Sequence, residues 1–241
     1  MPRTARASAG GLCYHVLNRG NARQEVFHKL DDYAAFARLL GEASERLPMR
    51  LVAWCLMPNH FHLVLWPRHD GDLSRWMQWL LTAHVRRYHR HYQARGQQAR
   101  GRQSSGHVWQ GRFKAFPIQH DEHLATVLRY VERNPLRARL VKRAEDWRWS
   151  SLSKLRGEEH PTLHPGPVPR GRDWKKWVNS AQTEAELTAV RHSIFRGTPF
   201  GSTRWQRAAA RRLGLESSLN ARGRPRKRKG NTSPKASVLP R

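Results

Sequence analysis

The chain has 241 residues, which suffices for one full domain and a smaller appendage at about 150 residues per domain. Its 45 Lys and Arg outnumber 18 Asp and Glu, and the resulting net charge of +27 indicates a polyanionic partner such as nucleic acid. Two cysteines exclude a disulfide scaffold, and no apolar run is long enough for a transmembrane helix or a secretory signal, so we expect a cytoplasmic protein with both thiols buried.

Strand and helix patterns alternate along the first 155 residues. Alternating or continuous apolar runs predict strands, and apolar positions at a 3.6-residue period predict helices. The predicted elements are a strand at 11–17, a helix at 30–47, a hairpin of strands at 49–57 and 60–66, a helix at 73–92, a strand at 112–119, and a helix from Asp121 to about Asn134. This order predicts an α+β fold with a ferredoxin-like antiparallel sheet and helices on one face.

The composition divides the chain into three parts. Residues 1–155 form the predicted domain. Residues 156–221 read as a Pro- and Gly-rich linker followed by a helical extension, with short helices at 184–194 and 202–213. Residues 222–241 carry eight basic residues and no acid, so we expect a disordered basic tail.

A stretch of 48 residues, from Leu73 to His120, contains no Asp or Glu. Aromatic rings at Trp109, Phe113 and Phe116 accompany its cations. Rings beside cations suit single-stranded nucleic acid, in which bases stack and phosphates pair. The alternative for each ring is ordinary packing against the sheet.

Two histidines, His60 and His62, lie two residues apart on a predicted strand, so their side chains share one face, while Phe61 points into the core. Two imidazoles and an oxygen ligand would suit Mg²⁺ or Mn²⁺ at a phosphate. The alternative is a pair of surface histidines without a metal.

The helix after Asp121 offers the oxygen. At about 100° per residue, Tyr130 and Asn134 fall on one edge of its apolar stripe, at the border between core and solvent. Taken alone, Tyr130 fits an amphipathic surface tyrosine and Asn134 a helix terminator.

These motifs together resemble a known family. The segments 57–64 (MPNHFHLV) and 130–138 (YVERNPLRA) resemble the HUH motif and the tyrosine helix of single-tyrosine transposases. The segments 15–21 (HVLNRGN), 106–113 (GHVWQGRF) and 222–227 (RGRPRK) are similar to the REP-associated tyrosine transposases, bacterial proteins linked to repeated extragenic palindromes. The resemblance implies an HUH endonuclease fold, with 1–155 as the catalytic domain.

The resemblance also implies a mechanism. His60, His62 and Asn134 would hold Mg²⁺ or Mn²⁺, and many relatives outside the REP-associated branch carry Gln where this chain has Asn134. Tyr130 would attack the scissile phosphodiester, giving a 5′-phosphotyrosine and a free 3′-hydroxyl without ATP.

The implied substrate is a DNA hairpin flanked by a short unpaired guide sequence, bound by a monomer or a homodimer. One alternative is a palindrome-binding protein that does not cut DNA, and another is an RNA-binding protein, to which the composition alone points equally. The expected DNA-binding residues are Arg19, Asn21, Arg23, Arg86, Arg87, Trp109, Arg112, Lys114, Arg224, Arg226, Lys227 and Arg228.

Overall fold

The computed structural model describes residues 8–93, 107–155 and 157–220. Its elements are β1 (Cys13–Arg19), α1 (Leu30–Arg46), β2 (Arg50–Met57), β3 (His60–Trp66), α2 (Asp72–Gln93), β4 (Lys114–Ile118), α3 (Glu122–Glu132), α4 (Asn134–Arg137), α5 (Trp174–Asn179), α6 (Glu184–Arg196), α7 (Thr203–Leu213) and α8 (Glu216–Leu219). The predicted elements are confirmed with boundary shifts of a few residues, and the short helices α4, α5 and α8 were not predicted.

The four strands form one antiparallel sheet in the order β2-β3-β1-β4. This is the ferredoxin-like order, so the predicted α+β class is confirmed. The register places Arg19 opposite His60 and Leu17 opposite His62. One end of the sheet therefore carries the end of β1 and the start of β3.

The sheet has helices on both faces, so the prediction that they cover a single face is wrong. On one face, α1 and α2 cover a core that includes Val16, Phe61 and Leu63. On the other, α3 covers Cys55 and Val64. Most of β2 and β3 is apolar on both faces and fully buried, and such strands require cover on two sides.

The C-terminal extension packs against the α3 face. Trp174, Val178 and Val190 join α3 and the sheet in one buried cluster. Phe200 bridges in parallel to Ile118, next to the edge strand β4. Among the described residues, no helix is long and apolar enough to cross a membrane.

Candidate active site

The two histidines of β3 lie on the face covered by α3. The rings of His60 and His62 are 5.0 Å apart between centroids and nearly perpendicular. Phe61 points to the opposite face and is fully buried in the other core. The predicted convergence of the two imidazoles and the inward direction of Phe61 are both confirmed.

The hydrogen bonds around His60 fix its tautomer. Asn59 donates from Nδ2 to the Arg23 carbonyl at 3.1 Å, so Asn59 Oδ1 faces His60 Nδ1 at 2.6 Å. Because a carbonyl oxygen only accepts, His60 carries its proton on Nδ1 and keeps a lone pair on Nε2. Burial, reinforced by the nearby Arg19 and Arg137 cations, lowers the pKa of His60 to about 4.

His62 is oriented by a third histidine, His15 of β1. The His15 Nε2 and His62 Nδ1 atoms are 2.9 Å apart, and both side chains are buried. This contact leaves His62 Nε2 available to a ligand. Burial lowers the pKa of His15 to about 3 and, with repulsion from His15 and His60, holds the pKa of His62 well below its usual value.

The α3 helix brings Tyr130 to these rings. Its apolar stripe of Leu124, Val127, Leu128 and Val131 is buried as predicted, and Asp121 caps the helix. The Tyr130 ring lies 5.8 Å from that of His62. The predicted position at the border with solvent is wrong, because Tyr130 is only 6% exposed. The neighbouring Arg137 covers it.

Arg137 links Tyr130 to Asn134. Its guanidinium carbon lies 4.2 Å from the centre of the Tyr130 ring, and its Nη2 donates to Asn134 Oδ1. The Asn134 amide nitrogen is buried and has no hydrogen-bond partner among the described residues. Burial lowers the pKa of Arg137, yet a guanidinium stays charged at neutral pH.

The donor set fits a divalent cation with one condition. His60 and His62 are neutral imidazoles whose Nδ1 atoms are engaged within the described residues. His60 has a lone pair on Nε2, and His62 has one in the tautomer in which its Nδ1 donates to His15, which is the state that ligates a metal. The Asn134 oxygen already accepts from Arg137, so a metal would have to use its second lone pair beside that guanidinium.

The extension holds the helix that carries Tyr130. Arg129 donates to the Ser180 and Ala181 carbonyls and pairs with Glu186. Glu132 is buried and accepts from Trp174 Nε1 at 2.6 Å. Glu132 also accepts from Ser151 and Arg170.

Arg133, just after α3, adds a further anchor, since it donates to the Val178 and Asn179 carbonyls. These bonds anchor α3 on the side facing the extension and fix its rotation.

A strained turn borders the site beyond β1. Ala22 and Arg23 both have positive φ, at 50° and 64°, a region that residues other than glycine rarely adopt. The Arg23 carbonyl is held by Asn59, the residue that also orients His60. Arg19 and Arg23 are exposed and Asn21 is half-buried. Backbone strain of this kind concentrates at binding sites.

Some of the other predicted DNA-binding residues lie near this turn. The segment before β4 runs beside it, since Gln110 N donates to the Arg19 carbonyl and Asn21 N to the Val108 carbonyl. Arg112 and Lys114 follow this segment and are exposed.

Three predicted DNA-binding residues do not belong to the site. Trp109 is buried at 6% exposure against Phe61, so the packing alternative is correct for it and it has no free face for a base. Arg86 and Arg87 lie on α2, across the sheet from Tyr130, and Arg87 is paired with Glu42. The remaining four, Arg224, Arg226, Lys227 and Arg228, lie outside the described residues.

Sequence reasoning assigned no role to His15 or Arg137. His15 alternates with Tyr14 and Val16, which face the other core, and so it shares the face of His62 once the strand register is known. Arg137 follows Asn134 by three residues, a spacing that brings side chains together on a helix.

Comparison with known proteins is consistent with this arrangement. The family described as "Transposase IS200 like" matches residues 8–134, more than half of the chain. A Haemophilus influenzae relative named among the REP-associated tyrosine transposases is 29% identical over 135 residues, covering 55% of this chain and 76% of its own. An Escherichia coli REP-associated tyrosine transposase is 23% identical over 148 residues, covering 60% and 78%.

Two solved structures are also similar. One is a REP-associated tyrosine transposase bound to a REP hairpin, with a TM-score of 0.48, 20% identity, and coverage of 63% of this chain and 82% of that one. The other is a transposase-like protein from Deinococcus radiodurans, with a TM-score of 0.37, 22% identity, and coverage of 54% and 96%.

Proposed function

Because this chain belongs to the IS200-like transposase family, we propose that it is a metal-dependent single-strand DNA endonuclease and strand transferase. It acts on palindromic hairpins of the REP type through a covalent 5′-phosphotyrosine. The observation that carries the proposal is the convergence of Tyr130 with two neutral histidines, at 5.8 Å between the Tyr130 and His62 rings.

The metal ligands are His60, His62 and Asn134. Mg²⁺ or Mn²⁺ bound there would polarise the scissile phosphodiester and neutralise charge that develops on it. Asn59 keeps His60 in the tautomer that leaves Nε2 available, and the contact of His15 with His62 Nδ1 holds the His62 ring with Nε2 free to face a ligand, so the ligands are oriented before any cation arrives.

Tyr130 is the nucleophile. Its hydroxyl oxygen forms a bond to phosphorus and releases its proton, while the 3′ oxygen of the preceding nucleotide leaves and takes up a proton. The phosphodiester is exchanged and not hydrolysed, so its free energy is kept for strand transfer. Arg137, which lies against the Tyr130 ring, orients the phenol and supplies positive charge to the reacting phosphate.

The substrate is a DNA hairpin with an unpaired flank. The turn at 19–23 carries two exposed arginines and is tied to the site through Asn59, so bases bound there are placed in register with Tyr130. Arg112 and Lys114 line the neighbouring segment and contact phosphates.

Incubation with end-labelled hairpin DNA and Mn²⁺ tests the proposal on a denaturing gel. The protein should produce a slow-migrating, protease-sensitive DNA species that EDTA suppresses. His62→Ala should abolish it, whereas His192→Ala, a change at an exposed histidine of α6, should leave it unchanged.

Two results would contradict the proposal. Cleavage at full rate in EDTA would refute the metal role. Tight binding of the hairpin by the wild-type protein without any cleavage in Mn²⁺ would support the palindrome-binding alternative.

A further inference from the structure

The α7 helix presents an unusual concentration of exposed charge. Arg204, Arg207, Arg211 and Arg212 are all exposed, and we call them the α7 arginine face. At about 100° per residue, the first three lie within about 60° of one another. Ala209 and Ala210 lie on the opposite side and are buried.

None of the four guanidinium groups has an ion pair or hydrogen bond within the described ranges. Arginines elsewhere in the fold do: Arg75 pairs with Asp72, Arg87 with Glu42 and Arg148 with Glu159. From Leu187 to the end of the chain, Glu216 is the single carboxylic side chain. Like charges three or four residues apart destabilise a helix, so the α7 arginine face lacks the compensation found elsewhere.

The helix is nevertheless held in a fixed orientation. Ser202 caps its N-terminus, and Gly214 ends it in the left-handed region at φ 64°. Gln119, just after β4, makes two hydrogen bonds to the segment before the helix. Its side-chain Oε1 accepts from the Ser202 backbone N–H, and its own backbone N–H donates to the Phe200 carbonyl. The arginines are therefore presented on a scaffold tied to the sheet edge.

The distance between the α7 helix and the candidate active site determines how long a partner that contacts both must be. Phe200, just before α7, donates from its backbone to the Pro117 carbonyl, and Pro117 lies opposite Tyr14 near the start of β1, whereas Arg19 at the end of β1 lies opposite His60. Five residues of strand at about 3.3 Å each put roughly 17 Å between these two ends of β1. A partner that contacts both must be an extended polyanion.

Resting on the proposed function, we propose that the α7 arginine face binds the phosphate backbone of the duplex stem of the hairpin whose unpaired flank occupies the Tyr130 site. A stem rises about 3.4 Å per base pair, so a stem of five or more pairs spans the separation. Arg204 and Arg211 are about 10.5 Å apart along the helix axis, at 1.5 Å per residue, and can contact phosphates in both strands. The helix lies outside the residues matched by the family, 8–134.

The test compares two variants of equal charge by fluorescence anisotropy in EDTA, so that no cleavage occurs. Arg204→Gln with Arg211→Gln removes two charges from the α7 arginine face. Arg38→Gln with Arg46→Gln removes two exposed charges from α1, across the sheet. Glutamine is a good helix former, and circular dichroism checks that both variants fold.

The expected result is specific to the stem. Each lost phosphate contact lowers the slope of log affinity against log salt by about 0.9 on duplex. The α7 variant should lose about 1.8 from the slope for the hairpin, which corresponds to binding roughly 60-fold weaker near 100 mM salt. Its slope for the unpaired flank alone should equal that of the wild type, and the α1 variant should match the wild type on both.

Other results would overturn the proposal. It fails if the α7 and α1 variants lose affinity for the hairpin equally, or if the α7 variant loses as much affinity for the unpaired flank. It also fails if the wild type binds an RNA stem more tightly than the DNA hairpin and the α7 variant loses affinity for the RNA stem and not for the hairpin. If the protein cuts no DNA but the α7 variant still loses slope on hairpin or plain duplex, the stem surface stands and the proposed function fails.

Discussion

Acidification should destabilise this protein well above the pH at which its carboxylates titrate. His15, His62 and His84 are buried, at 0%, 3% and 6% exposure. Burial lowers the pKa of His15 and of His84 to about 3, and the pKa of His62 is held well below its usual value by the same cause. In the unfolded chain each would titrate near 6.5.

The direction in which stability changes with pH follows from whether the folded or the unfolded chain binds the protons. Above about pH 6.5 all three are neutral in both states, and the stability is fully present. Below it, only the unfolded chain takes up protons, so stability is lost as pH falls. Between pH 7.5 and 5.5 each histidine removes about 1.4 kcal/mol, or roughly 4 kcal/mol together, from a typical total of about 5–15 kcal/mol.

Urea denaturation at pH 7.5, 6.5 and 5.5 measures this loss. His84→Phe is the matched variant, since His84 packs among aromatic rings across the sheet from Tyr130. It should reduce the pH-dependent loss by about 1.4 kcal/mol. A total loss under about 1 kcal/mol, or a His84→Phe variant with the wild-type pH dependence, would refute the assignment of buried neutral imidazoles.

Other substitutions separate packing from chemistry. Phe61→Ala should lower the unfolding free energy by about 3–5 kcal/mol, because the buried ring packs against Phe36 and Trp109. Thermal denaturation measures this loss, and a loss below about 1 kcal/mol would contradict the packing. Arg137→Met should slow single-turnover cleavage by about 10²-fold or more. Its Mn²⁺ affinity, measured by electron paramagnetic resonance, should equal or exceed that of the wild type, and a loss of Mn²⁺ affinity would mean that Arg137 supports the metal site. Deleting residues 222–241 should flatten the salt dependence of binding more on duplex than on single strand, and an unchanged slope would exclude the tail as an electrostatic clamp.

Much of the fold could be predicted because its signals are local. Apolar periodicity placed the helices and strands, and the break at Pro58-Asn59 placed the hairpin that aligns His60 and His62. The second helical layer was missed for a physical reason. The apolar stripe of α3 shows that the helix packs on the sheet but not which face it covers, and α5 (Trp174–Asn179), which adds to that layer, is too short to show a period.

The candidate site could be predicted in part. His60, His62 and Tyr130 come from motif spacing, and the structure places their rings together. The contacts of His15 and Arg137 depend on strand register and on the turn after α3, which single-sequence patterns do not fix. The burial of Trp109 likewise depends on a bridge to Gly20, nearly ninety residues earlier.

The most direct test of the central claim is the identity of the residue bonded to DNA. Wild-type protein and Tyr130→Phe are incubated with hairpin DNA and Mn²⁺, and the adduct is digested and mapped by mass spectrometry. The account predicts a phosphotyrosine at Tyr130 in the wild type and no adduct in Tyr130→Phe. The variant should bind the hairpin within a few fold of the wild type, because only one oxygen is removed. An adduct that persists in Tyr130→Phe, or that maps to another residue in the wild type, would contradict it.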